Sequence, residues 1–199
     1  MAPGIKGLAI VALIEDLGRL LQDGVFSEDE IAKHLGPTEL ALLDGEFDPF
    51  RWYPIETYQT LTAALLRLTH GEGLAWLRAR GAAAANRLLE RGLYQQLDAL
   101  KEGGKAWSAE NYKARIRLIV TLHGALLNFS HWDVEDDPDH PGRVQIVVTE
   151  AGDYPEILRH VTEGFINACA DVARGESNWR SERPEPDRIV FRMDRSFFS

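Results

Sequence analysis

The sequence predicts an α+β fold, a helical N-terminal two-thirds packed on a four-stranded antiparallel sheet of ββαββ order. Three observations predict it. From Ile10 to Leu127 the apolar residues recur at three- and four-residue spacing. In Val144-Gln145-Ile146-Val147-Val148-Thr149 and Ile189-Val190-Phe191-Arg192-Met193-Asp194 they alternate instead. Between these stretches Ile157, Val161, Phe165, Cys169 and Val172 return to the helical period. The reading is one domain over 1–199, with 1–107 a helical subregion and 108–199 a long helix plus the ββαββ subregion.

The first helix is expected over Lys6–Gln22, with Ile10, Leu13, Ile14, Leu17, Leu20 and Leu21 on one face and Asp23-Gly24 as its stop. Ser27-Glu28-Asp29-Glu30 is a capping box, in which hydroxyl and carboxylate satisfy each other's orphan amides. It opens a short helix to Leu35, and Thr38–Leu43 is a second short piece. Phe47-Asp48-Pro49-Phe50-Arg51-Trp52-Tyr53-Pro54 then crosses in extended form, since each proline keeps its predecessor out of the helical region. Tyr58, Leu61, Leu65 and Leu68 stripe the helix that follows.

A further helix spans Gly73–Arg91, where Gly81 marks a kink or a close helix approach. A short helix is expected over Leu93–Leu100. Ser108 caps a long one running to Leu127, striped by Tyr112, Ile116, Ile119, Val120, His123 and Leu127. Strands are expected at Phe129–Glu135 and Arg143–Glu150, joined through Asp136–Gly142. A helix over Tyr154–Arg174 leads to strands at Glu176–Glu182 and Arg188–Asp194, joined through Arg183-Pro184-Glu185-Pro186. Hairpins alone are marginal, so the two are expected to share one sheet, with the linking helix on one face and the helical half on the other.

Composition narrows the partners. The 199 residues carry 31 Asp and Glu against 22 Lys and Arg, a net charge of −9. Phosphate contacts dominate nucleic-acid affinity and anionic lipids attract basic segments, so neither nucleic acid nor membrane is an expected partner. One cysteine, Cys169, leaves no internal disulfide and no cysteine-rich zinc site. The apolar run Leu8–Ile14 is broken at once by Glu15 and Asp16, and no stretch approaches the roughly 18 apolar residues of a membrane span. A cytoplasmic location is expected.

Chemical motifs are sparse. Gly71-Glu72-Gly73 lacks a preceding strand and a Lys-Ser/Thr continuation, and no Gly-x-Ser-x-Gly elbow is present. A calcium loop starting at Asp137 fails at Pro141 and Val148, where oxygen ligands are required. His131, Asp133 and Glu135 would share one face of a strand, which suits a solvated acidic hairpin better than a metal centre. Cys169 lies on an inward stripe as a packing residue. No catalytic residue and no metal site is assigned.

Ile5-Lys6-Gly7, the Trp52-Tyr53-Pro54 step into a helix with Tyr58, and the closing hairpin–helix–hairpin resemble a family of unassigned function found in many copies in myxobacteria. From about Tyr112 onward the order of elements is similar to the heme nitric-oxide/oxygen-binding fold and to vinyl-reductase-type ligand-binding domains. The resemblance implies a cavity between helical part and sheet, and a proximal histidine at His123. It also implies a Tyr-x-Ser-x-Arg motif for the porphyrin carboxylates. Val147-Val148-Thr149-Glu150-Ala151 stands at that place, and Glu150 would repel a carboxylate. Trp179-Arg180-Ser181-Glu182-Arg183 repeats the spacing in another strand.

His123 is thus the candidate cofactor residue, and Trp52, Tyr53, Tyr58 and Tyr112 are the candidate lining of a ligand pocket. The leading functional expectation is a non-enzymatic binding, sensor or adaptor module without a cofactor, taking a protein partner or a small apolar ligand and open to homo-oligomerisation. Two alternatives stand beside it, a heme- or metal-binding sensor using His123 and an enzyme with a dispersed active site.

Overall fold

A computed structural model of the chain describes residues 2–90, 109–171 and 178–194. These fall into two compact units, one formed by Met1–Trp76 with Leu126–Asn128 and the other by Leu77–Ala125 with Phe129–Ser199. The expected helix over Leu93–Leu100, the Ser108 cap and Val172 of the expected inward stripe lie outside the described residues.

In the first unit, β1 (Gly4–Lys6) pairs antiparallel with β2 (Trp52–Pro54), Ile5 facing Tyr53. This pairing was not legible in the sequence, because three residues are too few to show alternation. The segment Leu126–Asn128 completes the knot. Leu126 O accepts from Lys6 N at 2.9 Å, and the Asn128 side chain accepts from Gly4 N at 2.7 Å. α1 (Gly7–Gln22) buries Ile10, Leu13 and Leu17, and α4 (Ile55–Leu68) buries Tyr58, Leu61, Leu65 and Leu68. Between them lie α2 (Glu28–Ala32), α3 (Pro37–Ala41) and a π-type turn at Leu42–Glu46. The Ser27–Glu30 capping box forms as expected, with Glu30 accepting from Ser27 N at 2.8 Å.

The second unit is a helix layer on a sheet. Strands β3 (His131–Asp136), β4 (Val144–Thr149), β5 (Trp179–Glu185) and β6 (Arg188–Met193) form an antiparallel sheet in spatial order β3-β4-β6-β5. In register, Trp132, Val148 and Ile189 lie side by side, as do Val134, Ile146, Phe191 and Ser181. Both α6 (Ala109–Gly124) and α7 (Glu156–Asp171) lie on this face. The long helix therefore shares a face with the linking helix rather than covering the other. The opposite face carries Asp133, Glu135, Glu182 and Arg192 beside Val147 and Val190, which are themselves buried.

Two boundaries and one buried stripe differ from expectation. The third strand runs on through Arg183-Pro184 to Glu185, because a register shift between Glu182 and Glu185 accommodates the proline. α6 ends at Gly124, and Leu127 instead bridges to Ile5. On α7 the buried stripe is Leu158, Phe165, Ile166 and Cys169, while Ile157 and Val161 are only half-buried. The shift arises because α7 packs on a second helix as well as the sheet. α5 (Gly73–Glu90) crosses it where Gly81 meets Val161 and Gly164 meets Arg78. A Cβ at either glycine would stand 1.8 Å from a backbone oxygen of the other helix, so only hydrogen fits there.

Candidate functional site

The site is built on α6, whose apolar stripe carries one imidazole into the interior of the second unit. His123 is 9% exposed. Its ring meets Trp132 of β3 edge-on at 5.0 Å between centroids and Phe165 of α7 at 5.1 Å. Trp132 reaches this position because the alternation of β3 points it to the helix-covered face, where it stacks on Phe191 at 5.9 Å. Gly124 follows His123, and a Cβ there would already lie 3.3 Å from the indole.

Two polar contacts complete the surroundings. His123 Nε2 lies 3.3 Å from the Thr162 hydroxyl, and that hydroxyl lies 2.8 Å from the Tyr154 hydroxyl. Nδ1 is buried and has no hydrogen-bond partner. Burial disfavours the charged form and lowers the His123 pKa from 6.5 to about 4. The side chain is therefore a neutral imidazole at pH 7, the form that can ligate a metal.

Several other charged groups of this unit have internal partners. Glu163, next to Thr162, accepts from Ser181 N at 2.7 Å, from the Ser181 hydroxyl, and from Arg78 Nε on α5. Burial opposes ionisation of Glu163, but the Ser181 and Arg78 bonds outweigh it and hold the carboxyl below its ordinary value. Arg115, 1% exposed, donates from Nε at 3.2 Å and from a terminal nitrogen at 2.8 Å to Cys169 O, closing the last turn of α7. Cys169 is a packing residue, its thiol pushed up to about 12 chiefly by burial. Among the described residues no three His, Cys, Asp or Glu side chains gather to hold a bare metal ion.

The aromatic candidates divide. Trp52, Tyr53 and Tyr58 belong to the first unit, and Tyr112 and His123 to the second. Trp52 is 38% exposed, with Lys6 Nζ 4.5 Å from its ring centroid. Tyr53 is buried and spends its hydroxyl on Asp48, accepting from the amide at 2.8 Å and donating to the carbonyl. Tyr58 is a core residue of α4. Tyr112 lies about three turns from His123 and has different neighbours. Its hydroxyl accepts from Trp179 Nε1 at 3.2 Å and donates to Met193 S at 3.2 Å.

A surface concavity of about 500 Å³ lies elsewhere in the second unit, lined by Tyr154, Glu156, Arg183 and Pro184 among others, and by none of the aromatic candidates. The Trp179–Arg183 spacing that imitates a carboxylate-binding motif is spent internally. Ser181 serves Glu163, and Arg183 donates to the carbonyls of Ala151, Pro186 and Tyr154. The residues around His123 that sequence reasoning missed are Trp132 and Thr162. The alternation of β3 was a signal for the first. Nothing marked the second, a polar residue on an apolar helix face.

No protein-family model matches the chain, and no curated protein matches it in sequence. Among the described residues no helix is long and apolar enough to cross a membrane. Solved structures do resemble it. A mutant of the H-NOX protein of K. algicida in its Fe(II) unliganded form is 12% identical with a TM-score of 0.62, covering 95% of each chain. A structure from work on heme distortion in the H-NOX family is 14% identical with a TM-score of 0.57, covering 98% of each. One concerned with heme redox potential and porphyrin distortion is 14% identical with a TM-score of 0.55, covering 95% of this chain and 99% of that one. These neighbours are heme proteins, which corrects the expectation of a fold without a cofactor. At such low identity across nearly the full length of both chains, the likeness establishes one thing, that this chain has the H-NOX fold.

Proposed function

We propose that the chain is a heme-binding sensor domain in which His123 would hold the heme iron. The observation that carries this reading is the buried, uncharged imidazole of His123 with one ring nitrogen lacking any hydrogen-bond partner. A bare ion needs three or four protein donors, whereas a porphyrin brings four of its own and asks the protein for one. One imidazole on an apolar stripe, inside an H-NOX fold, suits that requirement. It replaces the reading of a binding module with an unspecified ligand.

Heme bound at His123 would supply a redox-active iron with a position for a small ligand. The chain's own residues do the rest. Trp132 and Phe165 flank the imidazole, keep water from it and keep it neutral. The carboxylate end differs from the family pattern. Val147 and Val148 are buried in β4, and Glu150 is an exposed anion with φ of 54°. With no arginine in that stretch, the affinity rests more heavily on His123.

The test is titration of the heme-free full chain with hemin. Saturation at one equivalent with a Soret band that His123→Ala alters or loses is expected. A chain that ignores hemin, or a His123→Ala variant with an unchanged spectrum, refutes the proposal.

A further inference from the structure

At 79% exposure, Phe50 is the most exposed large apolar side chain among the described residues, and Trp52 beside it is 38% exposed. Single apolar side chains are common on a surface, but these two are held out by a fixed turn. Asp48 Oδ1 accepts from Phe50 N at 2.8 Å, and Asp48 O accepts from Arg51 N at 3.3 Å. Arg51 O accepts from Gly7 N at 2.9 Å, and Phe50 O accepts from Lys6 Nζ at 3.3 Å. A Cβ on Gly7 would run into Asp48 O and the Pro49 backbone, so the turn lies directly on the start of α1. The Lys6 ammonium also covers the Trp52 ring. The result is an aromatic knob with Arg51 at its side, on a backbone that has little freedom left to lose on docking.

The second unit carries a hollow that matches it. The concavity of about 500 Å³ is lined by Tyr154, Pro184 and Pro186 and by the carboxylates Glu156 and Glu185. Hollows of roughly 300–1,000 Å³ take groups of ring size and above, and proline and aromatic rings pack well on one another. Glu156 is taken up by Arg159 and by Arg183, whose Nε lies 2.8 Å away. Glu185 is exposed and, among the described residues, in no ion pair, and the same holds for Arg51. An unspent cation beside the knob thus answers an unspent anion beside the hollow.

We propose that the knob of one copy of the chain seats in the hollow of a second copy, Phe50 among Tyr154, Pro184 and Pro186, and Arg51 against Glu185. A net charge of −9 gives two copies no general attraction, so this local complementarity carries the contact. Knob and hollow are different surfaces, so the contact is head-to-tail and builds rings or open chains. Its small area places it among weak, concentration-dependent contacts. His123 takes no part in it, and the association stands apart from the heme reading.

The experiment is sedimentation velocity on the full chain from about 5 μM to about 500 μM, in about 0.15 M salt to screen the net charge. The average mass should rise with concentration. Phe50→Ser should weaken the association by about 10–100-fold. Arg51→Glu and Glu185→Arg should each weaken it by about 10-fold or more, because each sets like charges against one another. An equimolar mixture of these two variants should return to within about threefold of wild type, since the reversed knob of one then meets the reversed hollow of the other. All three side chains are exposed, so none of the variants removes a core contact. A chain that stays monomeric throughout, an association that survives Phe50→Ser, or a mixture that does not recover overturns the proposal.

Discussion

Replacing Gly164 with alanine tests how tightly α7 is locked to α5. The added Cβ would lie 1.8 Å from Arg78 O, 2.6 Å from its carbonyl carbon and 2.7 Å from its Cα. All three are backbone atoms, so no side chain can swing aside. Restoring contacts of about 3.5 Å requires the helices to part by roughly 1.5 Å. Overpacking of this kind costs about 1–3 kcal/mol. Parting the helices also stretches the Arg78–Glu163 bond, and weakening a buried charged hydrogen bond adds about 1–3 kcal/mol. Alanine returns about 1 kcal/mol through its helix propensity. The net loss is about 1–5 kcal/mol, which lowers the urea midpoint by roughly 0.5–2.5 M at a slope of about 2 kcal/mol per M. Gly18→Ala in α1 is the control. Nothing lies within 4 Å of its Cβ, so it should stabilise by about 0.5–1 kcal/mol. Urea unfolding followed by far-UV circular dichroism measures both. A Gly164→Ala midpoint equal to or above wild type would refute the close crossing.

Other outcomes follow from the buried polar groups. His123 is neutral in the fold with its pKa lowered from 6.5 to about 4, so its contribution is complete above pH 6.5 and is lost as pH falls toward 4. The loss reaches ~3 kcal/mol, and a chain whose urea midpoint falls no faster over that window than that of His123→Gln contradicts the assignment. Glu163 has its carboxyl held below 4.5, so the stability it contributes is present above that value and lost as acid protonates it. Glu163→Gln should cost about 1–3 kcal/mol at pH 7 and flatten the acid limb of the stability profile, seen as a smaller wild-type-to-variant gap at pH 3 than at pH 7. Trp179 is fully buried with its indole N–H on Tyr112, so Trp179→Ala should cost about 3–5 kcal/mol by thermal melt. Tyr112→Phe should cost only about 1–3 kcal/mol, because it removes the hydroxyl and leaves the ring. Equal losses for these two would mean that the Tyr112 hydroxyl, not the indole, carries that part of the core.

Much of the local architecture was written along the chain. The change from helical to alternating rhythm located four strands within a few residues, because burial of one face imposes its period on the side chains. The capping box named the start of α2, because both partners lie within one turn. His123 was marked as a polar exception on an apolar stripe, and a stripe is a property of its own helix. Gly81 could be flagged but not explained, since its reason, the carbonyl of Val161, lies eighty residues further on.

What the sequence by itself determined was therefore whatever a single element can signal: the period of burial, the caps, the stops, and the His123 imidazole on an apolar stripe. Only the tertiary structure decided which elements meet. It set α6 and α7 on the same face of the sheet, joined Arg78 to Glu163 and Ser181, capped α7 with Arg115, and brought Trp132, Phe165 and Thr162 around His123. It also placed Trp52, Tyr53 and Tyr58 in one unit and Tyr112 in the other, which a list of aromatic residues cannot foresee. The physical reason is that periodicity is generated by local backbone geometry, whereas the pairing of distant side chains is set by how packed layers fit together, and residues far apart in sequence carry no local mark of that fit.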